Sequence, residues 1–343
     1  MIAAAEQAIV DFCTYPPVGE DDWQYAFATA RIRALETQML SRGTLQDMAN
    51  AANFEEAVDL LTASEYGLGQ KKNFREMENI LRQRRSAVRE LFADLMIDKR
   101  IVELFRTRAD FANMRLALRR TLTERPLGTD YSEDGNVDAE HFEEVFEKEN
   151  YSLFPEYMQE AVEQAVLAYY QNKDIRQIDY AIDSVQAEYN LKRARELNSV
   201  FLLGLFRIQI DLTNIRTMLR LKYTESEQRN VFPAGGYLTP DQLKQGLDSE
   251  YETLGPLFFA TPHHHTVEAG AGYLAREESF LGAERRCEDY LTGFLKRTSQ
   301  ITAGPQPVIA YLLMKENEIR TVRLILTAKK NSLDTKLILD RIS

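Results

Sequence analysis

Positive charge, histidine, cysteine, glycine and long apolar runs are all scarce in this sequence, and each scarcity removes a class of function. The 42 Lys and Arg are outnumbered by 53 Asp and Glu, a formal net charge of -11. A nucleic-acid backbone needs clustered excess positive charge, so no nucleic-acid partner is expected. The two cysteines, Cys13 and Cys287, belong to no Cys-x-x-Cys pattern. Neither a zinc site nor a redox pair is implied, and two free thiols in a reducing cytoplasm are the simplest reading. The longest uncharged run, Thr298 to Met314, contains Gly304, Pro305 and Pro307. It is shorter than the roughly 20 apolar residues that a spanning helix needs. Residues Met1 to Val10 carry Glu6 and no basic region, unlike a secretory signal. A soluble or peripheral protein is expected.

Chemical motifs are scarce as well. No glycine-rich phosphate loop, no Gly-x-Ser-x-Gly elbow and no Ser-x-x-Lys motif occurs. No carboxylate constellation stands out from the general acidity, so neither catalytic nor cofactor-binding residues are assigned. Three of the four histidines are consecutive: His263, His264 and His265, after Thr261-Pro262. A metal-dependent hydrolase built on them is conceivable, but consecutive residues seldom face one ion, and no His-x-x-x-His accompanies them. They are expected in an exposed loop, with no metal bound.

What is present is helical. There are 16 glycines and 10 prolines in 343 residues, and strand-like alternation is nearly absent. Phe201, Leu205, Ile208, Leu212, Ile215 and Leu219 recur at steps of four and three, one face of a helix. The region 178–222 is predicted to form one or two long helices. Helix starts are predicted at Thr44 with Asp47, at Asn53 with Glu56, and at Thr239-Pro240-Asp241-Gln242. Breaks fall at 66–69, 126–128 and 233–236. The class is all-α.

A segment recurs three times. Its copies are Asp110-Phe111-Ala112-Asn113-Met114-Arg115-Leu116-Ala117-Leu118-Arg119, Asp211-Leu212-Thr213-Asn214-Ile215-Arg216-Thr217-Met218-Leu219-Arg220 and Lys315-Glu316-Asn317-Glu318-Ile319-Arg320-Thr321-Val322-Arg323-Leu324. Asn214 follows Asn113 by 101 residues, and Glu318 follows Asn214 by 104. Any amphipathic helix can give apolar-Arg-polar-apolar, but three copies at near-constant spacing favour a repeat. An extension over 1–22 and repeats over 23–127, 128–230 and 231–343 follow from it. Arg115, Arg216 and Arg320, with Asn113, Asn214 and Glu318, are the candidate structural or interface residues. Each arginine either locks neighbouring helices through an acid on another helix or lines a cavity that meets a partner. The basic run 71–108 and the acidic run 133–163 either steer partners or are solvated helix faces.

These residues also resemble a family. Tyr25-Ala26-Phe27-Ala28-Thr29-Ala30-Arg31-Ile32-Arg33-Ala34-Leu35-Glu36 resembles the opening of the C subunit of V/A-type rotary ATPases. Leu40-Ser41-Arg42, Asn53-Phe54-Glu55-Glu56-Ala57, Glu65-Tyr66-Gly67 and the helix around Asp110 to Asn113 continue the likeness, as does Leu212 to Thr217. The most specific segment is Pro307-Val308-Ile309-Ala310-Tyr311-Leu312-Leu313-Met314-Lys315-Glu316-Asn317-Glu318-Ile319-Arg320. The resemblance runs from about Trp23 almost to the C-terminus and is moderately specific. It implies three similar helical modules in a pseudo-threefold, funnel-like arrangement, related to the d subunit of the eukaryotic vacuolar ATPase. It implies a non-catalytic connector on the cytoplasmic face of the membrane, between the central shaft (the D and F subunits) and the proteolipid ring. No cofactor and no small-molecule substrate are implied. A helical scaffold of another assembly is the alternative.

Overall fold

The computed structural model describes residues 15–67, 73–126, 128 and 130–342. Cys13, most of the expected N-terminal extension, and Lys71 and Lys72 of the basic run lie outside the described residues. Within them the all-α expectation holds: there are fifteen α-helices, three short 3-10 turns and no strand.

Local chemistry sets the helix starts. The Asn53 side chain accepts from the Glu56 amide at 2.9 Å, and Thr239 with Gln242 forms a reciprocal capping box ahead of Pro240. The start expected at Thr44 lies three residues earlier. Ser41 has extended backbone and its Oγ accepts from the Thr44 amide at 3.0 Å, so Thr44 sits inside the first turn. Helix ends reflect the shortage of glycine. Glu124, Glu149, Lys173, Asn198, Glu225, Glu278 and Ser332 all adopt positive φ near 50°. A side chain in that conformation costs about 1 kcal/mol relative to glycine.

The chain forms two compact units, one over Asp98–His264 and one joining Val18–Ile97 to His265–Ser343. In the first, α5 (Lys99–Leu122), α6 (Ala139–Glu147), α7 (Glu156–Asn172) and α8 (Arg176–Glu196) share a core. Phe111, Met114, Phe142, Phe154, Met158 and Ile182 are central to it. The predicted long helical region is two helices, α8 and α9 (Val200–Tyr223), broken where Asn198 turns left-handed and Ser199 caps the Leu202 amide. All six residues of the periodic face of α9 are buried. Each such side chain contributes about 2 kcal/mol by leaving water. Helices α10 (Pro240–Asp248) and α11 (Tyr251–Leu257) follow.

In the second unit, α14 (Pro305–Lys330) is central. It packs against α1 (Ala26–Glu36), α2 (Arg42–Asn50), α3 (Phe54–Asp59) and α4 (Phe74–Leu95). Residues from the two ends of the sequence therefore share one core: Met48, Leu61 and Leu81 lie with Ile319, Val322 and Ile325. Helices α12 (His264–Glu277), α13 (Leu281–Lys296) and α15 (Thr335–Ile342) complete the fold. No described helix is long and apolar enough to cross a membrane.

Candidate interaction site

Each of the three long helices α5, α9 and α14 buries a polar pair at the same register. Asp110 and Asn113, Asp211 and Asn214, and Lys315 and Glu318 are all at most 5% exposed. Buried polar groups need partners, and here they find them in the segment leading to a nine-residue helix. Asn113 donates to the Ser132 carbonyl at 2.8 Å, and Asn214 donates to the Pro233 carbonyl at 2.9 Å, each 19 residues on. Asp110 accepts from the amides of Asn136 and Val137, and Asp211 from those of Tyr237 and Leu238, at 2.8–3.2 Å. In both copies the amides lie 26 and 27 residues beyond the aspartate.

The same approach explains two glycines. A Cβ on Gly135 would lie 2.2 Å from Asp110 Oδ1, and one on Gly236 would lie 1.9 Å from Asp211 Oδ1. Both glycines stand 25 residues after their aspartate. In each case the held segment ends at the residue before the helix cap, Asp138 for α6 and Thr239 for α10.

The third copy does the same job with different residues. Glu318 accepts from the Leu40 amide at 2.7 Å, and Leu40 precedes Ser41, the cap of α2. Helices α2, α6 and α10 are all nine residues long. Glu318 also accepts from the Tyr66 hydroxyl at 2.6 Å, and Lys315 pairs with both Glu318 and Glu65. Burial, reinforced by Glu318, pushes the Tyr66 hydroxyl far above its ordinary range. Asp110 is likewise raised, because burial outweighs its four hydrogen-bond donors.

The three repeat arginines are placed differently. Arg115 on α5 is bonded to Asp183 and lies 3.2 Å from Asp179, both on α8, while Arg119 one turn on pairs with Asp179. The acid partners are thus interhelical. Burial raises the Asp183 carboxyl despite Arg115 beside it. Arg320 is more than half exposed and sits 3.2 Å from Glu288 of α13, which Arg341 also holds at 2.5 Å. Arg216 lines a cleft of about 280 Å³ between α8 and α9. Its walls carry Arg176, Asp179 and Asp183 from α8, and Thr213, Thr217 and Arg220 from α9.

The histidine triplet corrects the expectation of an exposed loop. His263 is fully buried and donates from Nε2 to Asp211 Oδ2 at 3.0 Å. His264 is partly buried at the start of α12, with Nδ1 donating to the Gly255 carbonyl at 2.9 Å, and His265 is exposed. The sequence holds no local signal for the first of these, since Asp211 lies 52 residues away.

Other residues of the site lie outside the sequence expectations. Asp179 and Asp183 carry no motif. Gly135 and Gly236 do carry one, lying 101 residues apart like Asn113 and Asn214.

A family model described as ATP synthase (C/AC39) subunit matches residues 28–341. The C subunit of the V-type sodium ATPase of Enterococcus hirae is 22% identical over 317 residues, which cover 90% of this chain and 95% of that protein.

Proposed function

This chain belongs to the ATP synthase (C/AC39) subunit family, and from that premise we propose that it is the connector of a rotary V/A-type ATPase. In this reading it joins the central shaft, formed by the D and F subunits, to the proteolipid ring on the cytoplasmic face of the membrane. It performs no chemistry of its own and transmits torque for ATP-coupled proton or sodium transport. The observation that carries the reading is the family match over residues 28–341, with the V-type sodium ATPase relative aligned over 95% of its length.

The internal construction supports it. A torque-bearing part must hold its shape, and packed long helices do so. Here each long helix is tied to a nine-residue helix through buried polar groups, so a shear between them breaks charge-assisted bonds as well as apolar contact. Aspartate, asparagine and glycine recur at a constant offset in two copies, and Lys315 and Glu318 hold the same register in the third, which supports a threefold repeat.

The test is co-purification. Tagged chain is recovered from its native membranes in mild detergent, and the accompanying chains are identified by mass. The catalytic head, the shaft and the proteolipid are expected together. Recovery of none of them, from membranes shown to hold an intact rotary ATPase, overturns the proposal and favours a scaffold of another assembly.

A further inference from the structure

Among the described residues, one group of three metal-ligating side chains brings its donor atoms within 4.8 Å of one another: His264, His265 and Glu268, at the start of α12. Consecutive histidines seldom share an ion, and here the helix supplies the third ligand that lets them do so. At 3.6 residues per turn each side chain advances by about 100°. His264 and His265 therefore diverge by about 100°, and Glu268 falls between them, about 40° from one and 60° from the other. Helical side chains also lean toward the N-terminus, which tilts Glu268 back toward the two imidazoles. His263 stays outside the group, because it is fully buried with Nε2 on Asp211.

The three ligands are prepared to different degrees. His264 Nδ1 lies 2.9 Å from the Gly255 carbonyl, which can only accept, so Nδ1 carries the proton and Nε2 keeps the lone pair. Metal-binding histidines are commonly oriented by such a bond from outside the ligand shell. The Phe259 ring makes a T-shaped contact with the same imidazole, 5.2 Å between centroids. His265 and Glu268 are mostly exposed, with Nδ1 and Oε2 3.8 Å apart. That is too long for a hydrogen bond. It is close to the separation of about 3.4 Å between two ligand atoms of a tetrahedral ion with bonds of about 2.1 Å. Small rotations of two solvent-facing side chains complete the shell. The helix dipole opposes a cation at this end, and the Glu268 carboxylate offsets it.

We propose that His264, His265 and Glu268 bind a divalent transition-metal ion of the zinc class. Two imidazoles and one carboxylate suit zinc, whereas magnesium and calcium take oxygen ligands. Three protein ligands leave the fourth tetrahedral position to water. His141, the remaining histidine, has Glu144 at 3.6 Å but belongs to no such group, so it serves as an internal control.

The test is calorimetric titration of the full chain with zinc, after removal of any affinity tag and of bound metal by a chelator. One zinc per chain is expected. His265→Ala and Glu268→Gln change exposed side chains, and circular dichroism and melting establish that both variants fold. Each is expected to weaken binding by about tenfold or more, at least what the loss of an outer-shell partner costs. His141→Ala should bind as wild type does. Cobalt in place of zinc should give a visible absorption band that His265→Ala reduces. Absence of zinc uptake by wild type overturns the proposal. So does uptake that neither His265→Ala nor Glu268→Gln weakens, or that His141→Ala weakens as much as they do. Binding lost in His265→Ala but unchanged in Glu268→Gln removes the carboxylate from the shell and overturns the three-ligand site.

Discussion

Gly236→Ala places a methyl carbon where there is no space for it. The new Cβ would lie 1.9 Å from Asp211 Oδ1 and 2.7 Å from its Cγ. The aspartate cannot withdraw, because it is fully buried and its other oxygen is held by His263 at 3.0 Å. The loop must therefore move by about 1 Å or more, which pulls the Tyr237 and Leu238 amides, now at 2.8 and 3.0 Å, out of bonding range. Each bond to a charged acceptor is worth about 1.5–3 kcal/mol. Partial relaxation leaves an expected loss of about 3 kcal/mol, a fall in melting temperature of about 6–12 °C for a unit of this size. The assay is urea unfolding of the full chain, with Asp211→Ala and the double variant completing a cycle. In the Asp211→Ala background the clash is gone, and Gly236→Ala should cost well under half as much. Gly135→Ala should reproduce the wild-type-background loss through Asp110, 2.2 Å away. A Gly236→Ala protein within about 0.5 kcal/mol of wild type, or an undiminished cost without Asp211, would refute the idea that the glycine exists for the aspartate's approach.

Three further outcomes follow from the same geometry. Glu318→Gln leaves Lys315 with Glu65 alone and weakens the ties to Leu40 and Tyr66, so urea unfolding should show a loss of about 2–3 kcal/mol. Asp110 has a raised pKa, so its contribution is greatest while it is protonated and is lost as pH climbs through its folded value. Melting temperatures of Asp110→Asn should accordingly decline less than wild type as pH rises above about 4, whatever the offset at low pH. Glu124→Gly relieves an exposed left-handed residue at the end of α5 and should add about 0.5–1 kcal/mol, read from the shift in urea midpoint.

How much is legible from residues alone depends on distance along the chain. The caps at Asn53 and Thr239 are readable because donor and acceptor lie three residues apart. The start expected at Thr44 is displaced by one turn, because Ser41 offers the same hydroxyl chemistry and only the backbone conformation chooses between them. The recurrence at Asn113 and Asn214 is visible as spacing, yet what those side chains hold is not. Their partners are backbone groups 19 residues away, and backbone groups carry no sequence signature.

By itself, then, the sequence determined the helical class, a few helix starts such as those at Asn53 and Thr239, and a motif returning about every hundred residues. Those features rest on hydrogen bonds and apolar faces completed within a few turns. Tertiary structure decided the rest. It buried His263 against Asp211, gave Arg115 its acids 64 and 68 residues away, and bound Leu40 to Glu318 across 278 residues. It also placed Arg216 and Arg220 in one cleft with Asp179 and Asp183, the acids that pair with Arg115 and Arg119. Such pairings depend on which helix faces which, and side-chain charge alone does not specify that.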